Sequence, residues 1–253
     1  MSAESRRTAE TTLPAGDSAA ETALLERGAD RLEGGPGVSD NGDPAALAQG
    51  LEHTRVDRAL KRGFDVVGAT LLLIVLAPVL IAIAILVKFD SPGPVLFRHP
   101  RVGRDGEWFW MRKFRTMIKD ADAHKLRLLH MNEAAEGLFK IREDPRVTRF
   151  GRFLRSTSLD ELPQLFHVLT GKMSLVGPRP LVPEEDAKIQ GEYRRRLELR
   201  PGMTGVWQVE GASEIPIHEM VRLDLDYVRD WSLWGDVKLL AGTAAHVVQR
   251  RGI

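Results

Sequence analysis

An uninterrupted apolar stretch runs from Val66 to Val87 and contains no charged residue. At ~1.5 Å per helical residue, its roughly 22 residues match a hydrocarbon core of ~30 Å. Pro78 lies near the middle of the stretch, where a proline removes a backbone hydrogen bond and kinks a helix. The pattern therefore predicts a membrane helix with a kink at Pro78.

Basic residues flank the apolar stretch on both sides. Those before it are Arg55, Arg58, Lys61 and Arg62, and those after it are Lys88, Arg98, Arg101 and Arg104. Basic residues beside a membrane segment mark its cytoplasmic side. Two basic flanks fit a re-entrant helix that enters the membrane, bends and returns to the same face. A kinked single span with a weak charge bias is the alternative, and composition favours neither.

Composition divides the chain into three parts. Residues 1–54 contain no aromatic residue and several Gly and Pro breakers, and they predict a disordered tail because they cannot bury enough apolar surface to offset the entropy of ordering. Residues 55–90 form the membrane-interface segment and the predicted re-entrant helix, and residues 91–253 form a separate domain. The 36 basic and 35 acidic residues nearly balance, so net charge says little about partners, and the absence of cysteine excludes disulfides and thiolate metal sites.

Periodicity in the third part predicts an α/β fold that is mainly helical with a small sheet. Two short strands are expected at residues 95–97 and 108–115, joined around residues 103–106. A further strand is expected at residues 205–209. Helices are expected at residues 118–130, 159–169, 184–197, 217–231 and 234–249.

Two adjacent carboxylates, Asp160 and Glu161, lie in the segment Ser158-Leu-Asp-Glu-Leu-Pro-Gln164. Ser158 and Glu161 have the spacing of a capping box, and acids in a first turn suit the helix dipole, so the pair is compatible with a structural role. The same pair suits chemistry, because one carboxylate could attack phosphorus while its neighbour holds a divalent cation. Both interpretations can hold together.

Four cations are candidates for binding phosphate. Arg179 lies between two prolines, which would pre-place a guanidinium able to grip phosphate oxygens in bidentate fashion. Lys113 and Arg115 would share one face of the second predicted strand, because side chains alternate with period two. Arg155 lies five positions before Asp160 in the sequence and is a further candidate. A solvated surface position is the alternative for Arg179, Lys113 and Arg115.

The other titratable residues show no pattern that indicates a site. The seven histidines lack the spacing of metal ligands. Asp224 and Asp226 are two positions apart on a predicted helix, so their side chains diverge, and we expect both to be surface or capping acids.

Five motifs, in order, closely resemble those of the bacterial sugar transferase family, the monotopic phosphoglycosyl transferases, over about residues 57–252. The motifs are KRGFD at residues 61–65, RKFRTM at 112–117, SLDELPQ at 158–164, GKMSLVGPRP at 171–180 and RPGMTG at 200–205. The resemblance implies a cytoplasmic catalytic domain on the plasma (inner) membrane, held in the lipid by one re-entrant helix. It implies transfer of a sugar-1-phosphate from a UDP-sugar to undecaprenyl or another polyprenyl phosphate, with release of UMP, to initiate exopolysaccharide, capsule or glycoconjugate assembly.

The resemblance also implies roles for individual residues. Asp160 would be the nucleophile that carries the phosphosugar, and Glu161 would bind Mg²⁺. Substrate phosphates would be bound by Arg179, Lys113, Arg115 and Arg155. A homodimer or downstream glycosyltransferases are possible further partners, and no nucleic acid is expected.

The chain departs from the family pattern at two places. Ala77 replaces a frequent Ser before Pro78, which removes a hydroxyl that could satisfy backbone groups freed by the kink. Ala212 stands where the family often has Arg, which puts any transferred sugar specificity in doubt. Two other functions are weighed against the phosphoglycosyl transferase: an ordinary glycosyltransferase that releases UDP, and an inactive membrane scaffold.

Overall fold

The computed structural model describes residues 54–124, 126–131, 141, 143–209 and 216–248. The predicted tail, apart from Thr54, and the departure at Ala212 lie outside these residues. Helix α1 (Arg55–Asp90) contains the whole apolar stretch and continues through Pro78. Its start is capped reciprocally, because the Asp57 N–H donates to the Thr54 hydroxyl and the Thr54 N–H donates to the Asp57 carboxylate.

Helix α1 exposes most of its apolar surface. It is the one helix in the described part of the chain that is long and apolar enough to cross a membrane, and 11% of its most apolar 18-residue stretch is buried. Leu71, Ile74 and Val75 are 59%, 68% and 71% exposed. Apolar surface left in water costs about 25 cal/mol per Å² relative to burial. This helix therefore indicates a membrane protein rather than a soluble protein with a core helix.

The predicted hairpin follows α1. Strands β1 (Leu96–Val102) and β2 (Trp108–Phe114) pair antiparallel with Leu96 opposite Phe114 and Val102 opposite Trp108. A 3₁₀ turn at Arg104–Gly106 joins them. The prediction of two strands joined around residues 103–106 is confirmed.

The next segments are less regular than the periodicity indicates. Residues 118–130 contain two 3₁₀ segments, Ala121–His124 and Leu126–Met131, so the prediction of one α-helix is wrong. Helix α2 comprises Arg149–Ser156. Thr148 caps its start, because the Thr148 hydroxyl accepts a hydrogen bond from the Gly151 N–H at 2.9 Å.

The predicted helix at residues 159–169 is divided. Its first part is a 3₁₀ segment, Leu159–Gln164, and its second part is helix α3 (Leu165–Leu169). Pro163 lies in the first part and has no N–H to donate to an α-helical ladder. Strand β3 (Ser174–Val176) follows.

The prediction of one helix over residues 184–197 is wrong. Helix α4 (Pro183–Asp186) is a single turn, and Gly191–Glu198 is a separate 3₁₀ segment. Gly191 has φ 61°, a left-handed conformation that interrupts a right-handed helix between the two pieces.

Strand β4 (Gly202–Thr204) pairs parallel with β3. A Cβ atom at Gly202 would lie 2.1 Å from the backbone nitrogen of Gly177, so this close approach requires glycine. Helix α5 (Val206–Val209) follows β4. The prediction of a strand at residues 205–209 is therefore wrong. Trp207 in this helix packs into the core with Leu181 and Val221, and tertiary packing overrides its β propensity.

Two amphipathic helices complete the described chain, as predicted: α6 (Ile217–Arg229) and α7 (Leu233–Val248). The fold is mainly helical with little strand, although its strands form two separate two-stranded sheets. The prediction of a mainly helical fold with little sheet is confirmed.

Both halves of α1 pack against this domain. Ala69, in the first half, belongs to the main core with Phe109, Leu175 and Val228. Beyond Pro78, residues of the second half pack in another cluster. That cluster contains Ile83, Val87, Phe114 and Leu154. The domain therefore contacts α1 on both sides of the proline.

A buried polar network fixes the first half of α1. Lys61 Nζ lies 2.7 Å from the Asp236 carboxylate and also donates to the Val176 carbonyl at 2.9 Å. The Asp65 carboxylate accepts from the Ser174 hydroxyl and the Leu175 N–H, each at 2.9 Å. Lys61 is 6% exposed, so it links α1 to the domain rather than contributing to a solvated basic flank.

Candidate active site

Asp160 and Glu161 lie at the start of the 3₁₀ segment that follows α2. Ser158 precedes them with φ 53° and forms no side-chain capping bond, so the predicted capping box is wrong. A left-handed conformation at a residue other than glycine is strained, and such strain tends to occur at functional sites. The local backbone therefore gives the carboxylate pair no helix-capping role.

Asp160 has an environment suited to a nucleophile. Its side chain is buried, with 9% of the residue exposed. Burial raises the pKa of Asp160 to about 6, and the charges of Lys113 and Arg155 oppose this rise. At neutral pH the group is mostly an ionised carboxylate, yet it is more basic and less solvated than a surface aspartate.

Glu161 forms an ion pair with Lys113, and their side chains are 26% and 28% exposed. Lys113 comes from β2, so the hairpin brings a cation to the carboxylate pair. The pairing spans 48 positions of sequence. The structure thus places Lys113 and Glu161 together, at an edge that solvent and a ligand can reach.

Arg115 lies elsewhere. β2 ends at Phe114, so the alternation expected for Lys113 and Arg115 does not continue. The Arg115 guanidinium donates to the Ser91 carbonyl at 2.5 Å, to the Ser91 hydroxyl at 3.0 Å and to the Pro94 carbonyl. These bonds hold the end of α1, and the structure does not bring Arg115 to the carboxylates.

Arg155 approaches Asp160 from α2. Its Nε donates to the Thr116 hydroxyl at 2.9 Å, which orients the side chain. Its positive charge lowers the pKa of Asp160, although by less than burial raises it. Arg155 therefore joins Lys113 as a cation beside the candidate nucleophile.

Arg179 lies in the turn after β3, with its guanidinium 4.1 Å from the centre of the Trp207 ring. Its backbone N–H donates to Asp224 at 3.1 Å, and its carbonyl accepts from Arg196. Arg196 and Asp224 form a buried ion pair at 2.8 Å, with side chains 0% and 2% exposed. This pair hydrogen-bonds both the N–H and the carbonyl of Arg179. The backbone of Arg179 is thereby fixed, and its guanidinium can contact a ligand.

Asp224 contacts the candidate site, and the sequence prediction missed its placement. It was expected at the surface, and this is wrong, because its face of α6 packs inward. Met220, Asp224 and Val228 are four positions apart and all buried. That spacing places Asp224 in the middle of an apolar stripe, and a carboxylate there signals a buried partner.

Arg101 is a second residue that the prediction missed, since it was counted as a basic flank of the membrane helix. It lies on β1, and its Nη1 donates to the Pro180 carbonyl at 3.0 Å. Burial, and next the charge of Arg179, lower the pKa of Arg101 to about 10. Arg101 and Arg179 are therefore neighbours, although they are far apart in sequence.

The donor set is compatible with a magnesium ion bound partly by substrate. In the described ranges no group of three or more His, Cys, Asp or Glu residues could hold a metal alone. Mg²⁺ is usually bound through one or two carboxylates together with waters and substrate phosphates. Glu161, partly exposed beside Asp160, fits that kind of site.

Comparison with known proteins identifies relatives of the chain. Residues 56–250 match the family described as bacterial sugar transferase. The undecaprenyl-phosphate galactose phosphotransferase of Salmonella typhimurium is 44% identical over 202 residues, which cover 78% of this chain and 42% of the relative. The UDP-glucose:undecaprenyl-phosphate glucose-1-phosphate transferase of Escherichia coli is 42% identical over 209 residues, covering 79% and 42%.

A shorter relative matches over most of its length. The exopolysaccharide production protein ExoY of Sinorhizobium fredii is 40% identical over 196 residues, which cover 76% of this chain and 87% of the relative. The chain spans less than half the length of the Salmonella and Escherichia relatives. What all three share with it is the region that contains α1 and the candidate site.

Proposed function

The chain belongs to the bacterial sugar transferase family, and on that premise we propose that it transfers a sugar-1-phosphate from a UDP-sugar to undecaprenyl or another polyprenyl phosphate, releasing UMP. Two relatives are named for transfer of this kind, with galactose and with glucose. The observation that carries the proposal is the buried Asp160, with a pKa near 6, close enough to Lys113 and Arg155 for both charges to act on it.

The proposed reaction has two displacements at one phosphorus atom. First, a carboxylate oxygen of Asp160 attacks the β-phosphorus of the UDP-sugar. A phosphorus–oxygen bond forms, the bond from that phosphorus to the bridging oxygen breaks, and UMP leaves with the electron pair. Next, a phosphate oxygen of the polyprenyl phosphate attacks the same phosphorus and displaces the Asp160 carboxylate. The product is a polyprenyl diphosphosugar, and Asp160 is regenerated.

Charge neutralisation makes attack by a carboxylate feasible. An anionic nucleophile and an anionic diphosphate repel each other, and phosphoryl transfer depends mainly on positioning and on offsetting this charge. Lys113 and Arg155 lie beside Asp160, and Arg179 is held rigidly by its backbone. Mg²⁺ belongs to the same proposal: Glu161 and the diphosphate would hold it, and when bound it would neutralise phosphate charge.

Nucleotide release tests the proposal directly. Purified protein is incubated with Mg²⁺, undecaprenyl phosphate and, in turn, UDP-glucose, UDP-galactose and N-acetylated UDP-sugars. We expect UMP from one of these donors, because attack at the β-phosphorus leaves the α-phosphate on uridine. Release of UDP instead would indicate an ordinary glycosyltransferase. No nucleotide from any donor would favour the scaffold.

We also propose that α1 is re-entrant and that the domain lies on the cytoplasmic face of the plasma membrane. The support is that the domain contacts α1 at Ala69 and again at Ile83 and Val87, on either side of Pro78. A helix crossing the bilayer would carry one of these contact regions toward the opposite face. A bend at Pro78 allows both to remain beside one domain.

Cysteine labelling distinguishes the two topologies. The chain has no cysteine, so Arg55→Cys and Asp90→Cys each introduce a single thiol at an exposed position at one end of α1. A re-entrant helix predicts that neither thiol reacts with a membrane-impermeant maleimide in intact cells and that both react after permeabilisation. A helix that crosses the membrane would expose one of the two thiols to the intact-cell reagent.

A further inference from the structure

The end of β1 is joined to the segment that follows Arg179. Arg101 Nη1 donates to the Pro180 carbonyl at 3.0 Å, and the Val102 N–H donates to the Leu181 carbonyl at 2.9 Å. These two bonds fix the strand end and the turn relative to each other. The Arg101 side chain is therefore placed beside Arg179, at the site, rather than at the membrane end of α1.

The guanidinium groups of Arg101 and Arg179 lie near each other there. The Nε of Arg101 is buried and has no hydrogen-bond partner, and in the described part of the chain neither Arg101 nor Arg179 forms an ion pair through its guanidinium. Glu161, Glu184 and Glu185 offset part of the charge from a distance. Partly desolvated like charges placed side by side are costly unless an anion binds between or beside them.

The cations of the site fall into two groups around Glu161. Lys113 and Arg155 act on Asp160. Besides burial, the charge of Arg179 lowers the pKa of Arg101, and the charges of Glu161 and Glu185 raise the pKa of both arginines. A diphosphate has two phosphates to place, and this arrangement offers one group of cations to each.

Resting on the proposed function, we propose that Arg101, together with Arg179, binds the α-phosphate of the UDP-sugar, the phosphate that departs in UMP. While Asp160 attacks the β-phosphorus, the bridging oxygen gains the electron pair of the breaking bond and stays on the α-phosphate. A guanidinium on that phosphate offsets the charge that accumulates there. Arg101 thus binds the donor and the leaving nucleotide and takes no part in the second displacement.

Arg101→Met tests this role, with Arg98→Met as the matched control. Arg98 is an exposed arginine on the same strand, three positions earlier and so on the opposite face. We expect Arg101→Met to weaken UMP binding, measured by calorimetric titration of the purified protein, and to raise the KM for the UDP-sugar. Loss of a charge-assisted hydrogen bond predicts about 10- to 100-fold for each. Arg101→Lys should fall between, and Arg98→Met should match wild type.

The half-reactions separate binding from a structural role. Protein already loaded with the phosphosugar should react with polyprenyl phosphate at the wild-type rate in Arg101→Met, because no nucleotide is present in that step. If instead the variant binds UMP normally, or loses both half-reactions equally with a lowered thermal midpoint, Arg101 only supports the Pro180 segment and the proposal is overturned.

The titration also distinguishes failure of this inference from failure of the proposed function. A wild-type protein that releases no UMP from any donor but binds UMP through Arg101 would contradict the reaction and keep the binding site. A wild-type protein that releases UMP, with Arg101→Met unchanged in UMP affinity and KM, would keep the reaction and remove Arg101 from it. Absence of UMP binding by wild type would overturn the inference.

Discussion

Asp160→Asn is expected to abolish UMP release, with a fall of about 10,000-fold or more relative to wild type. The amide cannot attack phosphorus, so neither half-reaction can occur. A donor labelled in the sugar should leave label covalently bound to wild-type protein, and polyprenyl phosphate should remove it. The Asn variant should retain no label. Substantial turnover by this variant would reject Asp160 as the nucleophile.

The same variant provides its own control for folding. The pKa of Asp160 is about 6 in the folded protein against an ordinary value of 3.8, so the folded state binds more protons between these values and loses stability as pH rises through them. The difference corresponds to about 3 kcal/mol above pH 6. Asp160→Asn removes this cost, so its thermal midpoint in detergent should exceed that of wild type at pH 7.5 and should match it near pH 3.5. A lower midpoint at pH 7.5 would show that loss of activity reflects damage to the fold.

Asp224→Asn is expected to cause the largest loss of stability among the site substitutions. Removing one partner of a buried ion pair leaves the other charge uncompensated and costs about 3–5 kcal/mol. Here the remaining partner is Arg196, which is fully buried and, among the described residues, would keep only the Asp186 carboxylate, 3.6 Å away. The Arg179 N–H, which donates to both carboxylate oxygens of Asp224, would be left with a single neutral amide oxygen as acceptor. We expect a lower thermal midpoint and, at temperatures where the variant remains folded, UMP release slowed by about 10-fold or more because Arg179 is held less rigidly.

Asp226→Asn is the matched control for this prediction. Asp226 lies two positions further along α6, where it pairs with Arg229 at 3.0 Å with both side chains about one third exposed. A surface ion pair contributes about 0–1 kcal/mol, so this variant should resemble wild type in stability and activity. Equal effects of the two substitutions would contradict the assignment of Asp224 as the residue that positions Arg179.

The helices and strands that were predicted correctly have strong local signals in the sequence. Helix α1 follows from an unbroken apolar stretch, the hairpin from two alternating runs around Gly103 and Gly106, and helices α6 and α7 from amphipathic periodicity. In each of these elements the side-chain pattern and the backbone preference agree, so neighbours in the chain suffice to specify the element.

The predictions are wrong where contacts with residues distant in sequence, or a single backbone conformation, determine the local structure. The segment at residues 205–209 has the side chains of a strand, yet Trp207 packs as part of a helix beneath Arg179. The pattern of residues 184–197 predicts one helix, but Gly191 has a left-handed conformation and interrupts it. Ser158 and Glu161 have the spacing of a capping box, but Ser158 has a positive φ and its side chain forms no capping hydrogen bond.

The candidate site shows the same division between sequence and structure. Sequence alone identified Asp160, Glu161 and Arg179 as chemically capable groups, because carboxylates and a proline-flanked arginine have evident uses and the motifs resemble a family. It grouped Arg115 with Lys113, and the end of β2 separates them. It also assigned Arg101 only to the basic flank of the membrane helix.

What the sequence by itself determined is the membrane helix, the periodic elements and the identity of the reactive groups, since these depend on residues a few positions apart. Only the tertiary structure decided which of those groups share a site: Lys113 meets Glu161 across 48 positions, and Arg179 meets Asp224 across 45. Such pairings arise from packing of whole elements, and burial then sets the properties of each group. The pKa of Asp160 depends on that burial more than on any residue beside it in the chain.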